Sequence, residues 1–157
     1  MNHNINQIIQ QIIELCEKET PVIITELQQE RFGHQGAFNG HEKWKDNSLL
    51  VQKDKGINQP LVDSGNLEKQ LSTASNWDLQ PKMSGNTLKL TVPKTENFTD
   101  AKYDILDSGG KTSPYLSPRG NWMSINSVPV RPFKDLSDQD ADWIVKKLVQ
   151  SIIGEFA

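Results

Sequence analysis

The stretch VPVRPFKDLS at residues 128–137 decides much of the fold, because it leads directly into an amphipathic helix pattern. Pro129 and Pro132 fix φ and lack an N–H, so the stretch predicts an extended strap rather than an inner strand or a helix. Arg131 and Phe133 are the long side chains that could anchor it. With Pro132 they are the predicted structural anchors, Phe133 in the core and Arg131 at its edge, bonded to backbone carbonyls or a carboxylate.

The residues after the strap predict a C-terminal helix. Ser137 suits the N-cap, and Asp138 and Asp140 suit the positive end of a helix. Apolar residues then recur on one face, where we expect Phe133 to meet them. This stripe comprises Ala141, Ile144, Val145, Leu148, Val149, Ile152, Ile153 and Phe156. Trp143 falls off the stripe and is a candidate subunit contact, with packing under the strap as the alternative.

A second helical pattern lies at the N-terminus. Apolar residues at positions 5, 8, 9, 12, 13 and 16 have helical spacing, and the pattern resumes after Thr20-Pro21. Proline is tolerated in a first helical turn, where Thr20 would be its cap. The sequence therefore predicts either one long, kinked helix or two helices in tandem.

Between the helical patterns, residues 77–92 predict a β-hairpin. Apolar and polar residues alternate on both sides of Ser84-Gly85-Asn86, which suits a turn. A sheet needs cover on its apolar face, and the terminal helices carry the largest apolar stripes. We therefore predict an α+β fold: an antiparallel sheet with a β-hairpin, packed by a long N-terminal helix and a C-terminal amphipathic helix. At 157 residues, the chain is predicted to be a single domain, 1–157.

Shorter segments give further predictions. Residues 43–45 suit a turn of helix, and the polar residues 52–59 suit an exposed loop. Asp63 or Ser64 is predicted to cap a short helix that buries Leu67 and Leu71.

Residues 109–121 are rich in Gly, Ser and Pro, which is typical of a mobile loop. Tyr115 within it and Trp122 beside it are candidate subunit contacts.

Composition excludes several classes of function. A net charge of −3 and a pI near 5.6 argue against a nucleic-acid binder, and no apolar run is long enough to cross a membrane. The N-terminus lacks the pattern of a secretory signal, and the single Cys16 excludes an internal disulfide. His3, His34 and His41 lack metal-ligand spacing, so we expect them to be exposed. No catalytic residue, metal site or cofactor is predicted.

One motif leaves an enzymatic alternative open. Asp63-Ser64-Gly65 and Asp107-Ser108-Gly109 each follow apolar residues, as the catalytic triplets of aspartic proteases do. The spacing is too short for two lobes, so a protease would have to be a homodimer on a largely β scaffold. A cap at Asp63-Ser64 and a turn at Ser108-Gly109 explain the same residues without chemistry.

Taken in order, five segments resemble the phage virion-morphogenesis, or tail-completion, family of small neck proteins. They are Arg31-Phe32, Trp44, residues 60–67, residues 101–109 and the strap at 128–137. The strap is similar to the "Pro-x-Arg-Pro-Phe" segment of that family. The order of the segments is more specific than any one of them.

The resemblance implies a structural virion protein without catalytic residues, acting in tail completion or head–tail joining. It further implies a homo-oligomeric ring, for example a hexamer, in contact with neighbouring tail and head–tail connector proteins. DNA would pass through such a ring without sequence-specific binding, and no membrane is implied. The expected location is the virion neck, and the host cytoplasm during assembly. The alternatives are the homodimeric aspartic protease and a host-side binding module.

Overall fold

The computed structural model describes residues 4–62, 65–80, 89–91, 100–110, 115–117, 119–123 and 128–157. Most of these residues are helical: α1 Ile5–Gly33, α2 Leu49–Lys55, α3 Asn66–Leu71, α4 Asp100–Ser108 and α5 Asp138–Phe156. A 3-10 turn covers Ala74–Asn76. The strands are β1 Asp78–Gln80, β2 Lys89–Thr91, β3 Tyr115–Leu116 and β4 Trp122–Met123.

The predicted α+β fold is wrong, because the described part of the chain is mostly helical. Its strands form two separate antiparallel pairs, β1 with β2 and β3 with β4, and each strand has only two or three residues. The turn predicted at Ser84-Gly85-Asn86 lies outside the described residues. The terminal helices do not cover a sheet but pack against each other, so each covers part of the apolar stripe of the other.

α1 is one continuous helix of 29 residues with Pro21 inside it, so the alternative of two tandem helices is wrong. Proline removes one backbone donor from a helix. Two threonine hydroxyls make extra bonds to carbonyls nearby: Thr20 Oγ1 donates to Cys16 O at 2.6 Å, and Thr25 Oγ1 donates to Pro21 O at 2.8 Å. Both bonds run to the carbonyl four residues earlier, a pattern that is associated with bending of a helix.

α5 runs antiparallel to α1. Near its start Asp140 bonds to Arg31, further along Lys147 Nζ lies 2.9 Å from Glu26 Oε2, and at its end Phe156 lines a groove that Ile8 also lines.

The predicted N-cap of α5 is confirmed. Ser137 Oγ accepts a hydrogen bond from Asp140 N at 3.0 Å, and the Asp140 carboxylate accepts one from Ser137 N at 2.9 Å. This reciprocal pair of bonds is a capping box.

The main core lies beside the helix pair and is built on aromatic residues. It comprises Phe32, Trp44, Leu61, Leu67, Leu71, Tyr103 and Phe133. The predicted burial of Leu67 and Leu71 on α3 is confirmed. Asp63 and Ser64, the predicted caps of α3, lie outside the described residues, and Gly65 occupies the N-cap position without a side-chain bond.

Two local predictions are wrong. Residues 49–55 form α2, although part of this segment was predicted to be a loop. Ser48 caps α2 at its start, and Gly56 ends it in the left-handed conformation at φ 74°. Residues 43–45 are not helical, and Trp44 is buried in the core.

Candidate functional site

The strap, residues 128–137, is held on one side by the end of α4. The Asp107 carboxylate accepts hydrogen bonds from Phe133 N at 2.7 Å and Lys134 N at 2.8 Å, and its backbone carbonyl accepts one from Arg131 N at 2.9 Å. Gly109 has a φ of 73°, and a Cβ there would lie 2.5 Å from Val128 O. Only glycine therefore allows the strap to approach α4 this closely.

Arg131 turns from the strap toward residues 45–47. Its Nε donates to Lys45 O at 2.7 Å, and its Nη2 donates to Asp46 O at 3.0 Å and to Asn47 Oδ1 at 3.2 Å. The residue is only 5% exposed. Burial lowers the pKa of its guanidinium, and the charge of Asp46 opposes that shift. Arg131 thus binds two backbone carbonyls at the edge of the core.

Phe133 is fully buried, and its ring centroid lies 6.1 Å from that of Tyr103. Its place is in the aromatic core, so the expected contact with the stripe of α5 is wrong. The preceding residue, Pro132, is exposed, but its carbonyl accepts a hydrogen bond from Trp44 Nε1 at 2.8 Å. The three predicted anchors therefore hold the strap by three different means.

Arg31, near the end of α1, holds the strap on its other side. Nη1 donates to Phe133 O at 2.6 Å, and Nη2 donates to Asp135 O at 2.5 Å. Nη2 also forms an ion pair with Asp140, and both side chains are almost fully buried. Gln28, one helical turn earlier, donates a further hydrogen bond to Phe133 O at 3.1 Å.

Asp140 is the centre of this buried polar cluster. Its partners besides Arg31 and Ser137 are Asn39 Nδ2 at 3.1 Å and His41 Nε2 at 2.5 Å. Burial raises the pKa of Asp140. The hydrogen bonds from Ser137 and His41, the charge of Arg31 and the bond from Asn39 together lower the pKa by more than burial raises it. The net result is a pKa below the ordinary value, so this carboxylate is charged at neutral pH.

The sequence places Arg31 only in the segment that resembles the neck family and does not predict this role for it. One signal was available: Ile23, Leu27 and Arg31 follow each other at four-residue spacing, and all three are buried. A charged residue in line with an apolar stripe requires a buried partner of opposite charge. The sequence does not indicate that this partner lies 109 residues later, at the N-terminus of α5.

A second polar cluster ties the β3–β4 hairpin to α2. Asp54 accepts hydrogen bonds from Ser117 Oγ at 2.8 Å and from Asn121 Nδ2 at 2.6 Å, and Arg119 Nη1 lies 3.2 Å from it. The bonds from Asn121 and Ser117 lower the pKa of Asp54. Ser117, Arg119 and Asn121 of the predicted mobile loop are thus bonded to a helix.

The three candidate subunit contacts differ in exposure. Trp122 is 65% exposed, whereas Trp143 is half-buried between Phe38, at a ring distance of 6.1 Å, and Lys147. The backbone of Tyr115 lies in β3, and its side chain is outside the described part of the structure. Trp122 is therefore the more exposed of the two tryptophans, and Trp143 makes contacts within the chain; whether either meets another subunit stays a prediction.

Several apolar side chains of the two terminal helices are exposed, and we call this set the outer face. Its members are on the two terminal helices, and each is at least 45% exposed: Ile5, Ile9, Val145, Val149, Ile153 and Phe156. Four of these belong to the apolar stripe predicted for α5. The apolar stripe of α5 is wider than its contact with α1, so α1 covers only part of the stripe.

The remaining sequence predictions concern histidines and metals. His34 is exposed as expected, His41 is only 18% exposed against expectation, and His3 lies outside the described residues. Across the described ranges, no group of His, Cys, Asp and Glu side chains is placed to hold a metal ion. None of the helices described has the length and apolar character needed to cross a membrane.

Comparison of the chain with family models, curated proteins and solved structures finds no match.

Proposed function

We propose that this protein is a structural subunit of a phage virion that acts in tail completion or head–tail joining at the neck, as part of a ring and without substrate turnover. The observation that supports the proposal is where the motif residues lie. All five segments that resemble the neck family contribute side chains to the main core. Four contribute one aromatic residue each, Phe32, Trp44, Tyr103 and Phe133, and residues 60–67 contribute Leu61 and Leu67. The similarity in sequence thus concerns one packed unit.

The polar residues of these segments are also used within that unit. Arg31 and Arg131 bind backbone carbonyls on and beside the strap, and the Asp107 carboxylate binds two backbone N–H groups of the strap. Groups committed to such bonds serve to hold a scaffold. This use of Asp107 favours the structural role over the homodimeric protease, which would need a carboxylate free to share a proton.

The test is made in a phage that encodes this chain. Particles produced without the protein should accumulate as filled heads and separate tails in electron micrographs. Purified protein added to that lysate should restore joined, infectious particles. Complete and infectious particles in its absence would overturn the proposal.

A conservative variant separates the scaffold from the protease. Asp107→Asn keeps an oxygen that accepts the two N–H bonds but removes the carboxylate, so it should restore particles. Asp63→Asn should do the same, because Asn caps a helix about as well as Asp. A folded Asp107→Asn or Asp63→Asn protein that fails to restore particles would favour the protease.

A further inference from the structure

Asn39 and Gly40 form a chemically reactive pair in the turns that follow α1, and the chain contains no other Asn–Gly pair. The side-chain amide of an asparagine can be attacked by the backbone nitrogen of the next residue, and glycine, which has no side chain, shields that nitrogen least. Gly40 is exposed, and among the described residues none accepts a hydrogen bond from its N–H. The attacking nitrogen is therefore accessible.

The group under attack, the amide of Asn39, is held by the start of α5. Asn39 Nδ2 donates to Asp140 Oδ1 at 3.1 Å, and Ser137 Oγ donates to the backbone carbonyl of Asn39 at 2.8 Å. These bonds restrain the side chain and the backbone of Asn39 together. The closed strap end thus restricts the rotation by which the amide carbon would approach the Gly40 nitrogen.

The bond from Asn39 has a special place among the partners of Asp140. Arg31, His41 and the backbone N–H of Ser137 all bond to Oδ2 of the carboxylate. Among the described residues, Asn39 is the one donor to Oδ1. If the amide became a carboxylate, Oδ1 would lose its donor and face a second negative charge, which is unfavourable at a fully buried site.

We propose that Asn39-Gly40 is a deamidation site, which the strap end protects while it is closed and whose reaction weakens the strap end. The Gly40 nitrogen forms a bond to Asn39 Cγ, the Cγ–Nδ2 bond breaks, and the amide nitrogen leaves as ammonia with the proton of the Gly40 N–H. Water then opens the cyclic imide at either carbonyl and gives aspartate or isoaspartate. The sum is the hydrolysis of an amide to a carboxylate and ammonia, without oxidation or reduction. The site depends on these residues alone and not on service in a phage neck.

The first test follows the tryptic peptide 32–43, which contains both residues, after incubation of the full chain at mildly alkaline pH. Mass spectrometry detects the exchange of amide for carboxylate, and chromatography separates aspartate from isoaspartate. The chain unfolded in urea should react at Asn39. The folded chain should react at least roughly tenfold more slowly, because its rate follows the fraction of chains in which the strap end is open.

Asn76 is the internal control, because the bulky Trp77 follows it and shields the backbone nitrogen. It should stay unreacted in both samples. An Asn39 that does not react in urea, or that reacts equally fast in the folded chain, would overturn the proposal.

Ser137→Ala tests whether the strap end controls the reaction. The change removes the donor to the Asn39 carbonyl and the cap of α5, and it should speed the reaction in the folded chain by at least roughly threefold. Ser48→Ala is the matched control, because it removes the cap of α2 instead and should leave the rate unchanged. Equal acceleration by both variants, or none by Ser137→Ala, would overturn the protective role of the strap end.

Asn39→Asp reproduces one product of the reaction and tests its consequence. Asn39→Gly is its control, because glycine also adopts the φ of 48° at this position and removes the donor without adding a charge. In urea denaturation at neutral pH, Asn39→Asp should lower the ratio of folded to unfolded chains at least roughly tenfold below that of Asn39→Gly. An Asn39→Asp protein as stable as Asn39→Gly would contradict the weakening of the strap end.

Discussion

The two ends of the α1/α5 pair differ in what they expose. At the strap end, Arg31 and Asp140 are almost fully buried charges surrounded by hydrogen-bond partners. At the other end, Ile5 and Ile153 are apolar side chains that are 72% and 63% exposed. The chain thus buries paired charges at the strap end of the helix pair and exposes apolar side chains at the opposite end. The contrast indicates that the strap end contributes more to the stability of the monomer than the other end does.

The substitution expected to destabilise the strap end most is Arg31→Met. The change leaves the Asp140 carboxylate buried without a cation and removes the donors to Phe133 O and Asp135 O. We expect the free energy of unfolding to fall by about 4–5 kcal/mol, measured by urea denaturation. The double variant Arg31→Met/Asp140→Leu should lose less than the sum of its single changes, because no unpaired charge stays buried. Strict additivity would contradict a coupled pair.

Phe133→Ala removes the ring that joins the strap to the aromatic core. Phe133 is fully buried, so we expect a loss of about 3–4 kcal/mol of unfolding free energy and a clearly lower melting temperature. Val130→Ala on the same strap is the control, because Val130 is 53% exposed and should change stability little. A Phe133→Ala protein that melts like the parent would separate the strap from the core.

Asp107→Ala leaves Phe133 N and Lys134 N without their acceptor. We expect a loss of about 2 kcal/mol, because a buried donor left unpaired costs its desolvation energy. Asp107→Asn keeps an acceptor oxygen and should lose clearly less in the same denaturation experiment. Equal losses would mean that the negative charge, rather than the hydrogen bonds, holds the strap.

Acid should weaken the strap end through Asp140. Its pKa is below the ordinary 3.8 in the folded chain, so its stabilisation is complete above pH 3.8 and is lost as the pH falls through the lower folded value. Asp54 shifts in the same direction, so the parent must be compared with Asp140→Asn. The difference in their unfolding free energies should shrink below pH 3.8. A difference that is constant down to pH 2 would contradict this.

The outer face should give the smallest effect on the monomer. Val149 is 45% exposed, and we expect Val149→Ser to change the unfolding free energy by no more than about 0.5 kcal/mol under conditions where the chain is monomeric. A loss comparable to that of Asp107→Ala would mean that the outer face belongs to the core, and the contrast between the two ends would fail.

Local features of the chain were predictable where a local rule governs them. Ser137 followed by Asp140 indicates a helix start, and apolar spacing indicates both terminal helices. Ser48 and Gly56 mark the ends of α2 by the same rules, but the polar residues between them concealed it. The pairing of the terminal helices was missed because an apolar stripe does not specify whether a sheet or another helix covers it. The partners of Arg31 are set by tertiary structure, which no spacing in the sequence reveals.

The ion pair between Arg31 and Asp140 has a consequence for the order of events during synthesis. The two residues are separated by 109 positions, so the strap end cannot close until most of the chain has been translated. At 5–20 residues per second, Asp140 is synthesised on the order of 10 s after Arg31. During that time α1 presents an apolar stripe without its covering helix. We therefore expect nascent chains that stop before α5 to engage chaperones more strongly than complete ones.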